Sequence, residues 1–289
     1  MLSTKYKILY PVDFSKRSTL ATQQVKVWVE HFRAVLDTLH IVDNNTSGPL
    51  TNLHDPALYQ EQSRVVSRRT ADLKHFSDHY FGENVARAVV LNGNSADQIQ
   101  HFADREQADL IMLPRNHQRL IARIFHDSLA ATLLEHCRAS IWMTEHLEDA
   151  IPSVPNNVLC AVQFGPDATV EAQNHRILQA VRNLVSGFQA HVTFVHVTGN
   201  KNTSEPSTEL RTKALPMSWL EQARGLFGSS VKLLRTSGSV IAGIKETARQ
   251  MGADLVVVGR MRPGALSFGR QSRILKIDHA VQCPVLSVW

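Results

Sequence analysis

The sequence predicts an α/β protein made of two tandem five-stranded parallel-sheet domains. Three observations predict it. The second half repeats landmarks of the first in the same order. Short, wholly apolar strands alternate with amphipathic helices in both halves. The length, 289 residues, suits two domains of ordinary size better than one.

The repeat begins with Ile8-Leu-Tyr-Pro-Val-Asp-Phe14, which matches Val158-Leu-Cys-Ala-Val-Gln-Phe164. Leu39-His40-Ile41-Val42 then matches Val195-His196-Val197-Thr198. Gly93 answers to Gly238, Ala108-Asp109-Leu110 to Ala253-Asp254-Leu255, and Ser128 to Ser272. Ile141-Trp-Met143 answers to Val285-Leu-Ser287. The offset drifts only by loop-sized steps, as a tandem duplication requires. The expected domains are 1–146 and 156–289, joined by a linker over 147–155 that contains Pro152 and Pro155.

In the first half the pattern predicts strands near 6–12, 36–42, 85–91, 109–113 and 139–144, with helices near 17–35, 57–81, 96–107 and 127–137. In the second it predicts strands near 157–163, 191–198, 230–235, 254–259 and 284–289, with helices near 168–187, 216–227, 240–251 and 271–281. Runs such as Leu255-Val-Val-Val258 are continuously apolar, which strands covered on both faces require. Strands separated by helices imply right-handed crossovers and a parallel sheet. Ser95 and Gln98 read as a capping box opening the third helix, on which Ile99, Phe102 and Ala103 share a face. Ile241, Ile244, Ala248 and Met251 share a face in the second half. Long loops, marked by Gly48-Pro49 and by 199–208, follow the second strand of each half.

Composition excludes several classes. With 43% hydrophobic and 20% charged residues the chain reads as globular, and no apolar run approaches a membrane span. The net charge of +5 is modest and no basic block occurs, so no specific nucleic-acid role is expected. Three cysteines without a CxxC pair, and an N-terminus without a signal peptide, point to the cytoplasm.

A strand ending Pro11-Val-Asp13, a second with Leu39-His40-Ile41, then Ala253-Asp-Leu-Val-Val-Val-Gly259 and Cys283-Pro-Val-Leu286 form an ordered set. In that set the chain resembles the universal stress protein family over nearly its whole length. The resemblance implies domains of the adenine nucleotide alpha hydrolase-like type, and a pseudo-dimer of the two halves through their last strands. Homodimerisation is a further option, and partner proteins are unspecified.

Nucleotide-binding members carry an acidic residue after the first strand and a G-x2-G-x9-G-[ST] loop after the fourth. Glycines there let backbone N–H groups approach phosphate oxygens. Here the first half has Asp13, but its loop from Leu113 to Ser128 contains no glycine, and Pro114 lacks an N–H. The second half keeps Gly259, Gly264, Gly269 and Ser272 at altered spacing, with Arg262 at a glycine position and Gln163 at the acidic one. Neither site is expected to be intact. The candidate nucleotide or anion residues are therefore Asp13 and Ile41, and Val197, Gly259, Arg262, Gly264, Gly269 and Ser272.

Both loops are basic instead: Arg115, His117, Arg119 and Arg123 in the first, Arg260, Arg262, Arg270 and Arg273 in the second. Arg can hold phosphate through its planar fork, or simply line a solvated surface. The apolar loop segments Leu120-Ile121 and Ala265-Leu266 leave room for a lipid-like or aromatic ligand.

No catalytic residue or metal ligand is assigned. His75 and His79 have zinc-binding spacing but no third ligand, so an exposed helix face explains them. His126-Asp127-Ser128 are too close in sequence for triad geometry, and Asp127 or Ser128 reads as a helix cap. His40 and His196 read as histidines satisfied by backbone groups at the sheet rim, and Cys137 and Cys283 as buried thiols.

The function expected is a non-enzymatic stress-response protein with degenerate nucleotide sites. The alternative is an ATP- or AMP-binding module using the second-domain loop, with or without slow hydrolysis.

Overall fold

The computed structural model describes residues 5–43, 56–114, 126–144, 154–198, 217–260 and 271–289. The chain divides into two compact units, Met1–Val154 and Pro155–Trp289.

In the first unit the elements run β1 (Lys7–Pro11), α1 (Lys16–Phe32), β2 (Val35–Val42), α2 (Pro56–Phe81), β3 (Val85–Asn92), α3 (Ser95–Glu106), β4 (Leu110–Pro114), α4 (His126–His136) and β5 (Ser140–Thr144). The second unit runs β6 (Asn157–Ala161), α5 (Ala168–Leu184), β7 (His191–Thr198), α6 (Met217–Phe227), β8 (Lys232–Ser237), α7 (Val240–Met251), β9 (Leu255–Gly259), α8 (Gln271–Ala280) and β10 (Val285–Val288).

Every described pairing within a unit is parallel. The first unit has strand order β3-β2-β1-β4-β5, with Ile8 beside Leu36 on one side and Leu110 on the other. The second repeats it as β8-β7-β6-β9-β10, with Val158 beside Val192 and Leu255. Strand order reverses between β1 and β4, and between β6 and β9. In parallel sheets ligands bind in the crevice above the strand tips at that reversal.

The apolar strand runs are buried as expected: Leu255, Val256 and Val257 are fully inaccessible, as are Ile111, Met112 and Ile141. Trp28 of α1 meets Trp142 of β5 with ring centroids 4.8 Å apart. In the second unit Phe194 and Trp219 meet edge to face at 4.7 Å. Ile99, Phe102 and Ala103 are buried on α3, and Ile244 and Ala248 on α7, with Ile241 and Met251 half-buried at the margins. Among the described residues no helix is long and apolar enough to cross a membrane.

Two helix starts differ from the sequence reading. Asn94, not Ser95, caps α3: its Oδ1 accepts from the amides of Ala96 (2.9 Å) and Asp97 (3.2 Å). Gln98 does not reach back as a capping box requires. Its side chain lies over Gly93, whose φ of 134° a side chain would disfavour. Helix α4 begins at His126, so Asp127 and Ser128 stand in its first turn rather than before it.

The Ala-Asp-Leu landmarks clamp strand starts. Asp109 accepts from the Lys7 amide at 2.8 Å, and Asp254 from the amides of Asn156 (2.8 Å) and Asn157 (3.0 Å). Burial, the larger influence, holds the Asp254 carboxyl above its ordinary range despite those donors. Both aspartates lie at the amino ends of their strands, away from the crevice. Asp254→Ala should cost about 1 kcal/mol in urea unfolding by leaving two amides without their acceptor, and unchanged stability would refute the clamp.

Candidate nucleotide and anion site

In the first unit the crevice is lined by the chain leaving β1. Asp13 follows that strand, and its Oδ1 accepts from the Ser15 amide (2.9 Å) and the Ser18 hydroxyl (2.7 Å). Desolvation by the surrounding chain raises the Asp13 carboxyl. The Ser15 and Ser18 donors, with the Arg17 charge, outweigh it and hold the group below its ordinary range. The acid thus serves the turn that opens α1, where Ser15 caps and accepts from the Ser18 amide.

That turn is tight. Phe14 has φ 58°, in the left-handed region a bulky residue rarely enters. Its ring packs on His40 (4.6 Å) and Phe76 (6.0 Å), with the Arg69 guanidinium 5.6 Å from its centroid. The second unit inserts Gly165 and Pro166 before its capping Asp167, and Phe164 reaches His196 (5.2 Å) and Trp219 (5.3 Å) without positive φ. The histidines behave alike. His40 Nδ1 lies 2.7 Å from the Val12 carbonyl, and His196 Nδ1 lies 3.1 Å from that of Val162. Both are rim histidines engaged by backbone; burial, with the Arg69 charge, lowers His40 against the Val12 bond that favours its charged form.

In the second unit Gln163, at the acidic position, is held by its backbone. Its amide donates to Asn174 Oδ1 (3.3 Å), and Asn174 Nδ2 donates back to its carbonyl (2.5 Å). Gly259 ends β9. A Cβ there would stand 2.6 Å from Gln173 Cγ and 2.8 Å from Cδ, and closer still to Nε2. The glycine is therefore demanded by a side chain lying against it, and its backbone is not left-handed. Gln173 is buried, donates through Nε2 to the Val288 carbonyl (3.1 Å) and accepts at Oε1 from Arg176 (3.0 Å).

The two units solve the same packing problem in reverse. Gln173 is the sixth residue of α5, and the sixth residue of α1 is Ala21. Where the helix carries small Ala21, the fourth strand ends in Pro114; where it carries Gln173, the strand ends in Gly259.

Of the other sequence candidates, Ile41 and Val197 are half-buried on β2 and β7. The Val197 side chain faces α7, 3.1 Å from where a Cβ on Gly243 would stand. Arg262, Gly264 and Gly269 lie outside the described residues, as do Arg115, Arg119, Arg123 and the segments Leu120-Ile121 and Ala265-Leu266. Ser272 falls in the first turn of α8, and its side chain is likewise outside. Arg260 is buried, its guanidinium 5.3 Å from the Trp289 ring, so it is no solvated loop cation. His75 and His79 are exposed neighbours on α2. Cys137, Cys160 and Cys283 are buried thiols.

Gln173, Asn174 and Arg176 were missed from sequence. A signal existed: Ile177, Leu178, Val181 and Leu184 form the buried stripe of α5, and helical spacing extends it back to Gln173 and Asn174. Polar residues on an apolar stripe must find partners.

Two repeated parallel α/β domains, each with its crevice at the β1/β4-type reversal, define the adenine nucleotide alpha hydrolase-like class. The universal stress protein family model matches residues 6–145 and 156–288. The chain belongs to the universal stress protein family. Solved structures agree in fold. A universal stress protein from Archaeoglobus fulgidus DSM 4304 superposes with a TM-score of 0.66 at 16% identity, covering 99% of this chain and 96% of that one. A functionally unknown protein from Pseudomonas aeruginosa PAO1 reaches 0.64 at 14% identity, covering 99% and 92%. No curated protein matches the chain in sequence.

Proposed function

We propose that this chain is a non-enzymatic, cytoplasmic stress-response protein that acts by associating with partner proteins, and that its nucleotide sites have eroded. One observation carries the reading: at both crevices described groups already hold bonds or packing contacts within the chain. Asp13 Oδ1 holds the turn of its own helix, Asn174 pins the Gln163 backbone, and Gln173 lies against Gly259. A ligand that took these same atoms would have to displace those contacts, and their loss opposes its binding. Pro114, without an N–H, further supports erosion in the first unit.

The second reading, an ATP- or AMP-binding module in the second domain, is favoured by the retained Gly259. Isothermal titration of the full chain with ATP separates the two. The first reading expects no heat at millimolar ligand, and no retained nucleotide mass in native mass spectrometry after purification without added nucleotide. A retained AMP or ATP mass would overturn it.

A further inference from the structure

The two units finish their sheets differently. The third strand of each unit stands at one end of its strand order, β3 in the first and β8 in the second. An outer strand turns a row of backbone N–H and C=O groups away from its sheet. On β3 the cation Arg87 is held inside the unit. It stands beside Asp37 in register and binds that carboxylate at 3.0 and 2.6 Å. It also reaches Glu106, the last residue of α3, at 2.8 Å.

The second unit keeps the cation and loses both acids. Lys232 of β8 stands beside Thr193, which precedes His196 by the same interval as Asp37 precedes His40. The last residue of α7, answering to Glu106, is Met251. Lys232 is exposed, and among the described residues no carboxylate pairs with it. Leu234 shares its face of the strand, about 7 Å along. It is 40% exposed, and with Met217 it makes up the exposed large hydrophobics among the described residues. Its counterpart on β3, Val89, is half-buried. Helix α7 covers this face only farther on, where Thr236 Cγ2 lies 3.1 Å from the place of a Cβ on Gly243.

We propose that the edge of β8 is a docking site for an extended acidic segment of a partner protein. The segment adds a strand to the second domain, setting a carboxylate against Lys232 and an apolar side chain against Leu234. Main-chain bonds to an open edge supply affinity in this mode, and alternate side chains supply selection. The carboxylates that satisfy the cation of β3 from within have to come to β8 from outside. A second copy of β8 is a poor occupant, because it would bring the exposed Lys232 and Arg235 of both copies together. This inference rests on the reading that the chain acts by associating with partner proteins.

The experiment uses the full chain and short end-capped peptides that alternate valine with glutamate or valine with lysine. Fluorescence anisotropy at low salt measures affinity, and hydrogen exchange locates the protected amides. The glutamate peptide should bind at least about tenfold more tightly than the lysine peptide, and protect amides of β8 but not of β3. Lys232→Glu should reverse the preference, and Leu234→Lys should weaken the glutamate peptide about tenfold. Circular dichroism checks that both variants fold. Equal binding of the two peptides, or protection away from β8, would overturn the site. Binding of neither would mean that Lys232 only guards the edge, and would overturn it as well. Protection of β8 that grows with protein concentration without peptide would give the edge to a second copy and overturn the acidic partner. ATP or AMP retained by the unaltered chain would instead defeat the reading of eroded sites, whatever the peptides do.

Discussion

Gly259→Ala is expected to destabilise the second domain by about 1–3 kcal/mol, the range for forcing atoms into a packed interior. The added Cβ would stand 2.6 Å from Gln173 Cγ, well inside contact distance. Gln173 cannot yield freely, because it is buried and bonded at both ends of its amide, to Val288 and to Arg176. Relief of the clash therefore means losing those bonds. Combining Gly259→Ala with Gln173→Ala should recover more than half of the loss, since residues in contact show coupling of about 0.5–3 kcal/mol. Urea unfolding of the four species of the cycle measures it. Additive losses would show that Gln173 does not explain the glycine.

The other large effect is expected in the first domain. Asp37 on β2 is buried, and it receives two bonds from Arg87 on the neighbouring β3, at 3.0 and 2.6 Å. Arg87 also pairs with Glu106 at 2.8 Å, and its guanidinium lies 5.5 Å from the Phe102 ring. Arg87→Met keeps much of the stem over Phe102 but leaves a buried carboxylate without its cation. Stripping one partner from a fully buried pair costs about 3–5 kcal/mol. Because the Arg87 side chain is 42% exposed, water moderates the loss, and about 2 kcal/mol at pH 7 is expected.

The pH dependence has a defined sign. Bonds from Arg87, then from Arg105, hold the Glu106 carboxyl down at about 2, against an ordinary 4.5. A depressed carboxylate contributes stability that is complete above its unfolded value and lost as pH falls through its folded one. The difference between the unaltered chain and Arg87→Met should therefore be full above about pH 4.5 and shrink toward pH 2. A difference that stays constant with pH would mean that Arg87 acts through packing alone.

Much of the architecture was legible without coordinates. A strand covered on both faces has to be apolar at every position, so Leu255–Val258 identified itself, and the repeated order of landmarks carried the duplication. That the fourth strand of the first domain ends without a backbone N–H was legible because Pro114 lacks one whatever surrounds it. Helix starts were less so. Asn94 and Ser95 are both capping residues, and only the path of the chain through Gly93 decides which one reaches the free amides.

What the amino-acid order determined by itself was burial and topology class, because hydrophobic period and strand-helix alternation are local properties. What only the tertiary structure decided was partnership. Gln173 reads in sequence as one more polar helix residue. It comes to lie against Gly259 because the parallel crossover lays α5 across the tips of β9 and β10, strands that arrive much later in the chain. Local pattern states that a side chain must be satisfied; the fold chooses which distant groups satisfy it.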